Sequence, residues 1–362
     1  MPLRFHWSLS QAGDPWRRAQ ATDKMSGVLD LQAQIELCRR AERNGIESML
    51  MAFSFTRPDP LLLATAIGAA TEKIAFLVAC RSGIFSPTAF VQQINTLSVL
   101  TNGRVAINIV AGHSPHEQAY YGDFLAHDER YERTEEFLDV CAAFWRRDGP
   151  VDFAGRYYRI VAGKLNTPFV APHRQTPEIY LGGNSEQAEN LAIKHAACLF
   201  RYPATPAEMA LHAQPLLAAG KELGLRVAML GRPTREEALQ ATRELTEVAR
   251  EKAQTNRREF VGRTDSVAFR STLDLADRSE WATPFLWTGM VPFLGEACLV
   301  GSADDIAAAL LEYRDAGVTQ FLLSGWPDPE EIEFFGREVL PRVRALEQER
   351  DPVPVGDVSD GI

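Results

Sequence analysis

Apolar and polar residues follow two repeating patterns along the chain. Short runs rich in apolar residues, such as "LRFHWSLS" and "KIAFLVAC", are followed by longer segments whose apolar residues recur at helical spacing, such as "LDLQAQIELCRRAERNG". Gly45 and Gly103 close two of the helical segments, as glycines commonly do at helix C-termini. The pattern predicts β–α units that follow one another along the chain.

The first four units have strands that are almost continuously apolar. The fourth of these units ends in a long helical segment at 128–147. Such strands are typical of a parallel sheet that is covered on both faces. Further strands are predicted near residue 178 and at "AACLF", "LRVAML" and "VTQFLLSG", which makes eight in all. Eight alternations predict an α/β fold, a (β/α)8 TIM barrel. A doubly wound sheet is the alternative, but its usual nucleotide motifs, GxGxxG and the P-loop, do not occur.

Three segments depart from this pattern. Residues 150–168 alternate around a central glycine and predict an inserted hairpin, and residues from about 254 to 297 predict a long insertion. The end of the chain, 349–362, is acidic and contains Pro and Gly, so we expect a loose tail after a single domain at 1–348.

Charge and composition narrow the function. The net charge of −10, without a Lys/Arg cluster, argues against a nucleic-acid partner. No run of 18 apolar residues occurs, so no membrane span is predicted. The five cysteines are scattered, and four lie in apolar runs. We therefore expect buried, reduced thiols and a cytoplasmic location.

The chemistry of a TIM barrel lies at the C-terminal ends of its strands. Polar and aromatic residues follow these predicted ends: Arg57, Asp59, Arg81, Ser82, His127, Tyr131, Ser185, Arg201 and Trp326. Arginines grouped on one face would favour an anionic ligand, although solvated surface charge is their ordinary role. Neither an HExxH pattern nor a GxSxG elbow occurs, so we predict neither a metal centre nor a serine hydrolase.

Two of these features are compatible with phosphate binding. His127 and Tyr131 are four residues apart at a helix start and share one face, where they can hold a phosphate; alternatively, His127 caps the helix and Tyr131 packs in the core. In "IYLGGNSEQAENLAIKHAA" a strand leads through Gly183, Asn184 and Ser185 into a helix. Such a helix start attracts phosphate, but an ordinary strand-to-helix turn has the same composition.

Five stretches together resemble a known family. They are "SPTAFVQQINTLSVLTNGRVAINIVAG", "HDERYERTEEF", "GRTDSVAF", "LVGSADDIAAALLEYRDAGVTQFLLSGWP" and the Gly-Gly-Asn-Ser stretch above. The chain resembles the bacterial luciferase-like flavin monooxygenases from about Phe5 to Leu346, and the alkanesulfonate monooxygenase branch most closely. The resemblance implies a TIM barrel whose long insertion acts as a lid. It also implies reduced FMN from a separate flavin reductase, and O2, which forms a flavin hydroperoxide that oxygenates the substrate.

The resemblance also implies roles for residues. The family's flavin positions match Asp59, Ser82, His127, Tyr131 and Ser185, with the amides of Gly183 and Asn184 as helpers. Among the family's catalytic positions, one is matched here by Arg81. The branch's cysteine is replaced by Thr56 and Arg57, its Arg-x-His by Arg226 and Ala228, and its tyrosine after the eighth strand by Trp326.

These differences predict that the part of the site that binds the flavin is kept and that the part that binds the substrate is rebuilt; we call these parts the flavin half and the substrate half. The candidate catalytic residues are Arg57, Arg81, Arg226 and Trp326. We expect a small or medium organic substrate, a sulfonate or other organosulfur compound or a specialised metabolite. A deazaflavin-dependent oxidoreductase and a non-catalytic flavin-binding protein are the alternatives. Apolar helices at 60–70 and 89–100, together with the resemblance, predict a homodimer or homotetramer.

Overall fold

Parallel strands and helices alternate along the chain. The computed structural model describes residues 2–9, 29–55, 57–112, 114–252 and 264–350. The strands are β1 (Arg4–Ser8), β2 (Ser48–Met51), β3 (Ala75–Cys80), β4 (Val105–Ile109), β5 (Val151–Ala154), β6 (Arg159–Gly163), β7 (Glu178–Gly182), β8 (Cys198–Arg201), β9 (Glu222–Gly231), β10 (Leu286–Trp287), β11 (Cys298–Gly301) and β12 (Val318–Gly325).

The helices lie between these strands and after the last one. They are α1 (Leu31–Arg43), α2 (Pro60–Gly68), α3 (Pro87–Leu100), α4 (Pro115–Tyr120), α5 (His127–Arg146), α6 (Glu186–His195), α7 (Pro206–Ala218), α8 (Arg235–Lys252), α9 (Val267–Arg278), α10 (Val291–Leu294), α11 (Ala303–Asp315), α12 (Asp328–Phe334) and α13 (Leu340–Arg350), with a π-helical turn, Phe335–Val339, before the last. Gly45 and Gly103 follow α1 and α3 with φ of 77° and 80°, which confirms the predicted helix ends.

Eight strands close into a parallel barrel in the order β1, β2, β3, β4, β7, β8, β9 and β12, and β12 pairs with β1. This confirms the predicted TIM barrel. The eight predicted strands are the barrel strands. The predicted hairpin is also confirmed, since β5 and β6 pair antiparallel with Val151 opposite Gly163.

β9 is ten residues long and is bordered by two strands on one edge. Its first half pairs with β8, and its second half pairs in parallel with β11, where Cys298 lies opposite Ala228. β10 pairs antiparallel with β11. The end of the predicted insertion therefore extends the sheet beside the seventh barrel strand.

The helices cover the barrel with their apolar faces. Phe5, Phe76 and Phe321 are fully buried strand residues in the main core, and Phe137 of α5 packs in the same cluster. All five cysteines are buried and free of disulfides, as predicted. None of the helices in the described ranges is long and apolar enough to cross a membrane. The predicted tail falls almost entirely outside the described residues, and so does the beginning of the long insertion, up to residue 263.

Candidate active site

A cavity of about 530 Å³ opens at the C-terminal end of the barrel. Its wall includes residues at the ends of β3, β4, β7 and β8, such as Ala79, Asn108, Gly182 and Phe200. Nine of the residues predicted from sequence line it: Arg57, Arg81, His127, Tyr131, Gly183, Asn184, Ser185, Arg226 and Trp326. The barrel therefore brings together residues that lie up to 269 positions apart, from Arg57 to Trp326.

Ser185 lies at the start of α6, where it is the N-cap. Its hydroxyl accepts a hydrogen bond from the amide of Ala188 at 3.2 Å and donates to the Tyr131 hydroxyl at 3.3 Å. Burial raises the pKa of Tyr131, so its phenol keeps the proton. Because Ser185 donates to it, the Tyr131 hydrogen is left to donate to another acceptor. The two hydroxyls and the first amides of α6 form a region suited to an anion.

The amide of Gly183 and the side chain of Asn184 both have hydrogen-bond partners in the described part of the chain. The amide of Gly183 donates to the carbonyl of Phe200 at 3.0 Å, so it is not available to a ligand, and the predicted helper role is wrong for this amide. A Cβ at Gly183 would lie 2.9 Å from that of Ala188, which explains the need for glycine here. The Asn184 side chain accepts from the amide of Tyr202 at 2.9 Å and donates to Ser271 at 2.9 Å.

His127 is the first residue of α5 and lines the same end of the cavity. Its ring lies 5.1 Å from that of Tyr131, centroid to centroid, and Nδ1 is 2.8 Å from a carboxylate oxygen of Asp128. The two rings therefore lie side by side on one face of α5, as their spacing predicts. With 25% of its side chain exposed, His127 remains accessible to a ligand.

Arg81 is held at the end of β3 by three neighbours. Its Nη2 atom lies 3.0 Å from an oxygen of Glu117, and its guanidinium lies over the rings of Phe53 and Tyr121 at 5.1 and 5.9 Å. The residue is only 3% exposed, and its Nε and Nη1 atoms have no hydrogen-bond partner in the described part of the chain. Buried donors of this kind ordinarily have partners, so these two indicate a ligand.

Arg226 on β9 forms the other arginine–glutamate pair. Its Nη2 atom lies 2.7 Å from Glu296, and Nη1 donates to the Tyr202 hydroxyl at 2.8 Å. Glu296 also accepts from Ser324 at 2.9 Å and is 8% exposed. Arg81, which is buried, and Arg226, whose side chain is 28% exposed, thus each have a glutamate partner.

Trp326 and Asn108 supply two further unsatisfied groups. The indole nitrogen of Trp326 and the side-chain oxygen of Asn108 are buried in the cavity wall, and neither has a hydrogen-bond partner among the described residues. Together with Arg81, they present buried donors and an acceptor. Of these, the groups of Arg81 and Asn108 fit a planar heterocycle with acceptors and donors on its edge, such as the isoalloxazine ring of a flavin.

Asp59 and Ser82 do not line the cavity in the described structure. Asp59 is the N-cap of α2 and accepts from the amides of Leu61 and Leu62 at 3.0 and 2.9 Å. The buried Ser82 hydroxyl bonds to Thr134 at 2.8 Å, and its carbonyl accepts from Tyr158 at 2.7 Å. Because these contacts account for both side chains, we do not carry their predicted flavin roles further.

The second part of the long insertion covers one side of the cavity. Ser266, Val267 and Phe269, at the start of α9, line it. Arg130 of α5 holds this segment, because its Nη2 atom lies 2.5 Å from Asp265. The Nε and Nη1 atoms of Arg130 donate to the backbone carbonyls of Ala111 and Leu125.

Glu117 and Glu296 were not predicted from the sequence. Acidic residues are mostly exposed, so a single glutamate in the sequence does not indicate a buried position. For Glu296 a signal exists, since it is a lone charge in the apolar run "VPFLGEACLV". Arg226 is likewise a lone charge, in "LRVAMLG", and two such charges in apolar segments can be expected to pair.

The fold and the cavity define a class, the TIM-barrel enzymes whose site lies at the C-terminal ends of the strands. Within that class the chain belongs to the luciferase-like monooxygenase family, whose model matches residues 3–320. It is a flavin-dependent oxidoreductase of that family, which confirms the family resemblance seen in the sequence.

Solved structures share the fold. EDTA monooxygenase from Chelativorans sp. BNC1 is similar with a TM-score of 0.77 and 20% identity, covering 96% of this chain and 94% of that one. Riboflavin lyase, solved with modified FMN and riboflavin, has a TM-score of 0.76 and 20% identity, covering 96% and 92%. An F420-dependent secondary alcohol dehydrogenase has a TM-score of 0.68 and 19% identity, covering 95% and 100%. The alkanesulfonate branch remains a prediction.

Proposed function

We propose that this chain is the oxygenating component of a two-component system. It binds reduced FMN delivered by a separate flavin reductase, uses O2 and oxygenates a small or medium organic substrate. The observation that supports this most directly is the cavity itself, which has one end suited to an anion and buried, unsatisfied polar groups within it. Reduced FMN, when bound, supplies the electrons that activate O2.

In this proposal Ser185, Tyr131 and His127 hold the phosphate, together with the first free amides of α6. The Tyr131 hydroxyl has a hydrogen to donate, and the positive end of the α6 dipole favours the negative charge. The riboflavin lyase neighbour, solved with modified FMN, is consistent with this choice of cofactor.

We assign the polar edge of the flavin ring to Asn108 and Arg81, whose unsatisfied atoms lie in the cavity wall. The start of α9, with Val267 and Phe269, limits access of water from one side. Exclusion of water matters for any oxygenase, because a reactive oxygen species that meets water is lost without product.

We place the substrate beside Trp326, Phe293 and the Arg226–Glu296 pair. Because Arg81 and Arg226 already have carboxylate partners, the substrate group that faces these two residues is expected to be polar but uncharged. The Trp326 indole nitrogen is available to donate a hydrogen bond to it. Organosulfur compounds and specialised metabolites with an apolar body fit such a wall better than simple alkanesulfonates.

The decisive experiment is an anaerobic titration with reduced FMN, followed by exposure to oxygen with a panel of substrates. We expect saturable binding of reduced FMN, then oxygen consumption coupled to a product. Hydride transfer with reduced deazaflavin and no need for O2 would instead support the alternative represented by the alcohol dehydrogenase. Flavin binding without any product would leave a non-catalytic flavin-binding protein, and fast turnover of simple alkanesulfonates would contradict the rebuilt substrate half.

A further inference from the structure

A cluster of three possible metal ligands lies on the outer surface between α5 and α6. Glu135 and Asp139 are one helical turn apart on α5, and His195 is the last residue of α6. One ligand atom from each residue lies within 4.8 Å of the other two. The cluster is separate from the barrel cavity, whose lining contains none of the three.

His195 is the feature that distinguishes this cluster from ordinary surface acids. Its side chain is only 9% exposed, and its Nε2 atom is buried without a hydrogen-bond partner in the described structure. That atom lies 3.7 Å from Asp139 Oδ1, too far for a hydrogen bond but directed towards the carboxylates. A neutral imidazole binds metals through such an open ring nitrogen.

We propose that Glu135, Asp139 and His195 form a binding site for a divalent transition metal, best suited to Zn²⁺, with water completing the coordination. One imidazole nitrogen and two carboxylate oxygens are ordinary zinc ligands. Bonds of about 2.1 Å in a tetrahedral site require ligand atoms about 3.4 Å apart. The glutamate and aspartate side chains are 44% and 40% exposed, and their rotation can close the remaining gap.

Lys194 pairs with the two carboxylates of the cluster. Its ammonium bonds to Glu135 and lies 3.9 Å from Asp139. A surface ion pair contributes little stability, and a long exposed lysine can turn away into solvent. Lys194 therefore lowers the affinity of the site without preventing binding, and its removal should strengthen binding.

A bound ion would connect two helices that also meet near the cavity. Tyr131 of α5 contacts Ser185 at the start of α6, and two turns further along α5 the side chain of Asp139 faces His195 at the end of α6. The metal would thus join α5 to α6 at the end opposite to the cavity. The expected effect is a more stable protein, and it does not depend on the proposed flavin chemistry.

The test is calorimetric titration of the full chain with Zn²⁺, and with Co²⁺ as a spectroscopic probe. We expect a saturable site whose affinity falls at least tenfold in His195→Gln and Asp139→Asn and rises in Lys194→Gln. Zinc should also raise the Tm of the unmodified chain but not that of His195→Gln. The exposed Asp139→Asn variant keeps the test valid if loss of His195 disturbs folding.

The matched control is His212→Gln. His212 is also a helix histidine, and its Nδ1 atom lies 3.8 Å from Glu189, but its side chain is 43% exposed. Zinc binding should be unchanged in this variant. Absence of saturable binding, or equal affinity in His195→Gln and the unmodified chain, would overturn the proposal.

Discussion

Ser185 combines two roles that sequence alone could not separate. It caps α6 through the amide of Ala188, as in any strand-to-helix turn, and its hydroxyl also reaches Tyr131 inside the cavity wall. The first contact stabilises the helix, and the second places Ser185 beside a group that can bind phosphate. A substitution that preserves the cap but changes the charge therefore tests the second role alone.

Ser185→Asp is such a substitution, because aspartate caps helices as well as serine does. We expect affinity for reduced FMN to fall tenfold or more, since lost hydrogen bonding to a charged group costs about 1.5–3 kcal/mol before repulsion is counted. Ser86→Asp is the control, since it adds the same charge at the exposed N-cap of α3, outside the cavity lining. Equal FMN affinity in both variants would show that Ser185 has only a structural role.

His6 provides a pH-dependent test of the barrel interior. It is fully buried between the Ser48 hydroxyl, 2.7 Å from Nδ1, and the Gln320 side-chain oxygen, 2.8 Å from Nε2. Burial lowers its pKa from 6.5 to about 4. Because the folded state resists protonation, the contribution of His6 to stability is complete above pH 6.5 and declines as the pH falls towards 4.

We therefore expect His6 to reduce the free energy of unfolding by about 2 kcal/mol between pH 7 and pH 5. Urea titrations at both pH values would measure this loss, and His6→Gln should show a loss smaller by about that amount. His173→Gln, at an exposed position, is the control and should behave like the unmodified chain. An unchanged pH dependence in His6→Gln would show that other groups account for the loss.

At the scale of elements, the position of α9 depends on a few polar contacts. Asp265 is joined to the buried Arg130 of α5, and Ser271 bonds to Asn184 at the end of β7. These contacts hold the start of α9 against the cavity, where Phe269 forms part of the wall. The insertion is thus attached to the same two units, β4–α5 and β7–α6, that carry the proposed phosphate site.

Asp265→Asn should loosen α9 without unfolding the barrel. It removes the charge that Arg130 pairs with, a contact worth about 1.5–3 kcal/mol. We expect hydrogen exchange in residues 264–278 to become about tenfold faster or more, and reduced FMN to dissociate faster. Asp274→Asn, an exposed change on the same helix, is the control. If both variants exchange alike, the Arg130–Asp265 contact does not hold α9 in place.

At the scale of the whole molecule, apolar side chains remain exposed on the outer helices. Leu62 of α2 is 71% exposed, and Leu100 at the end of α3 is 58% exposed. The two helices are neighbours on the barrel surface. These side chains are consistent with the predicted homodimer or homotetramer, which remains a prediction.

Light scattering coupled to size exclusion would measure the mass in solution. We expect a dimer or tetramer, and a shift towards smaller species in Leu62→Lys and Leu100→Lys, because a buried lysine disfavours the interface. Leu211→Lys on α7, also 71% exposed before substitution, is the control. A monomer in the unmodified chain, or a leucine-to-lysine effect equal at Leu62 and Leu211, would contradict an interface at α2 and α3.

Prediction from sequence succeeded where one physical rule applies to a whole segment. Strands buried on both faces are nearly continuously apolar, so the apolar runs of the sequence predicted the eight barrel strands. Gly45 and Gly103 predicted the ends of two helices. Because the eight barrel strands are parallel, their C-terminal ends meet at one face, and most of the predicted residues line the cavity. Asp59 lies outside the cavity lining, because a residue after a strand can equally cap the next helix.

The sequence by itself determined the barrel, the order of its strands and the face that carries the chemistry, because periodicity and chain order decide these. Only the tertiary structure decided which side chains pair. Glu117 with Arg81, Glu296 with Arg226, and Glu135 and Asp139 with His195 are distant along the chain. Charge balance, unsatisfied donors and ligand clusters depend on distances of a few ångströms in space, which no local pattern of residues specifies.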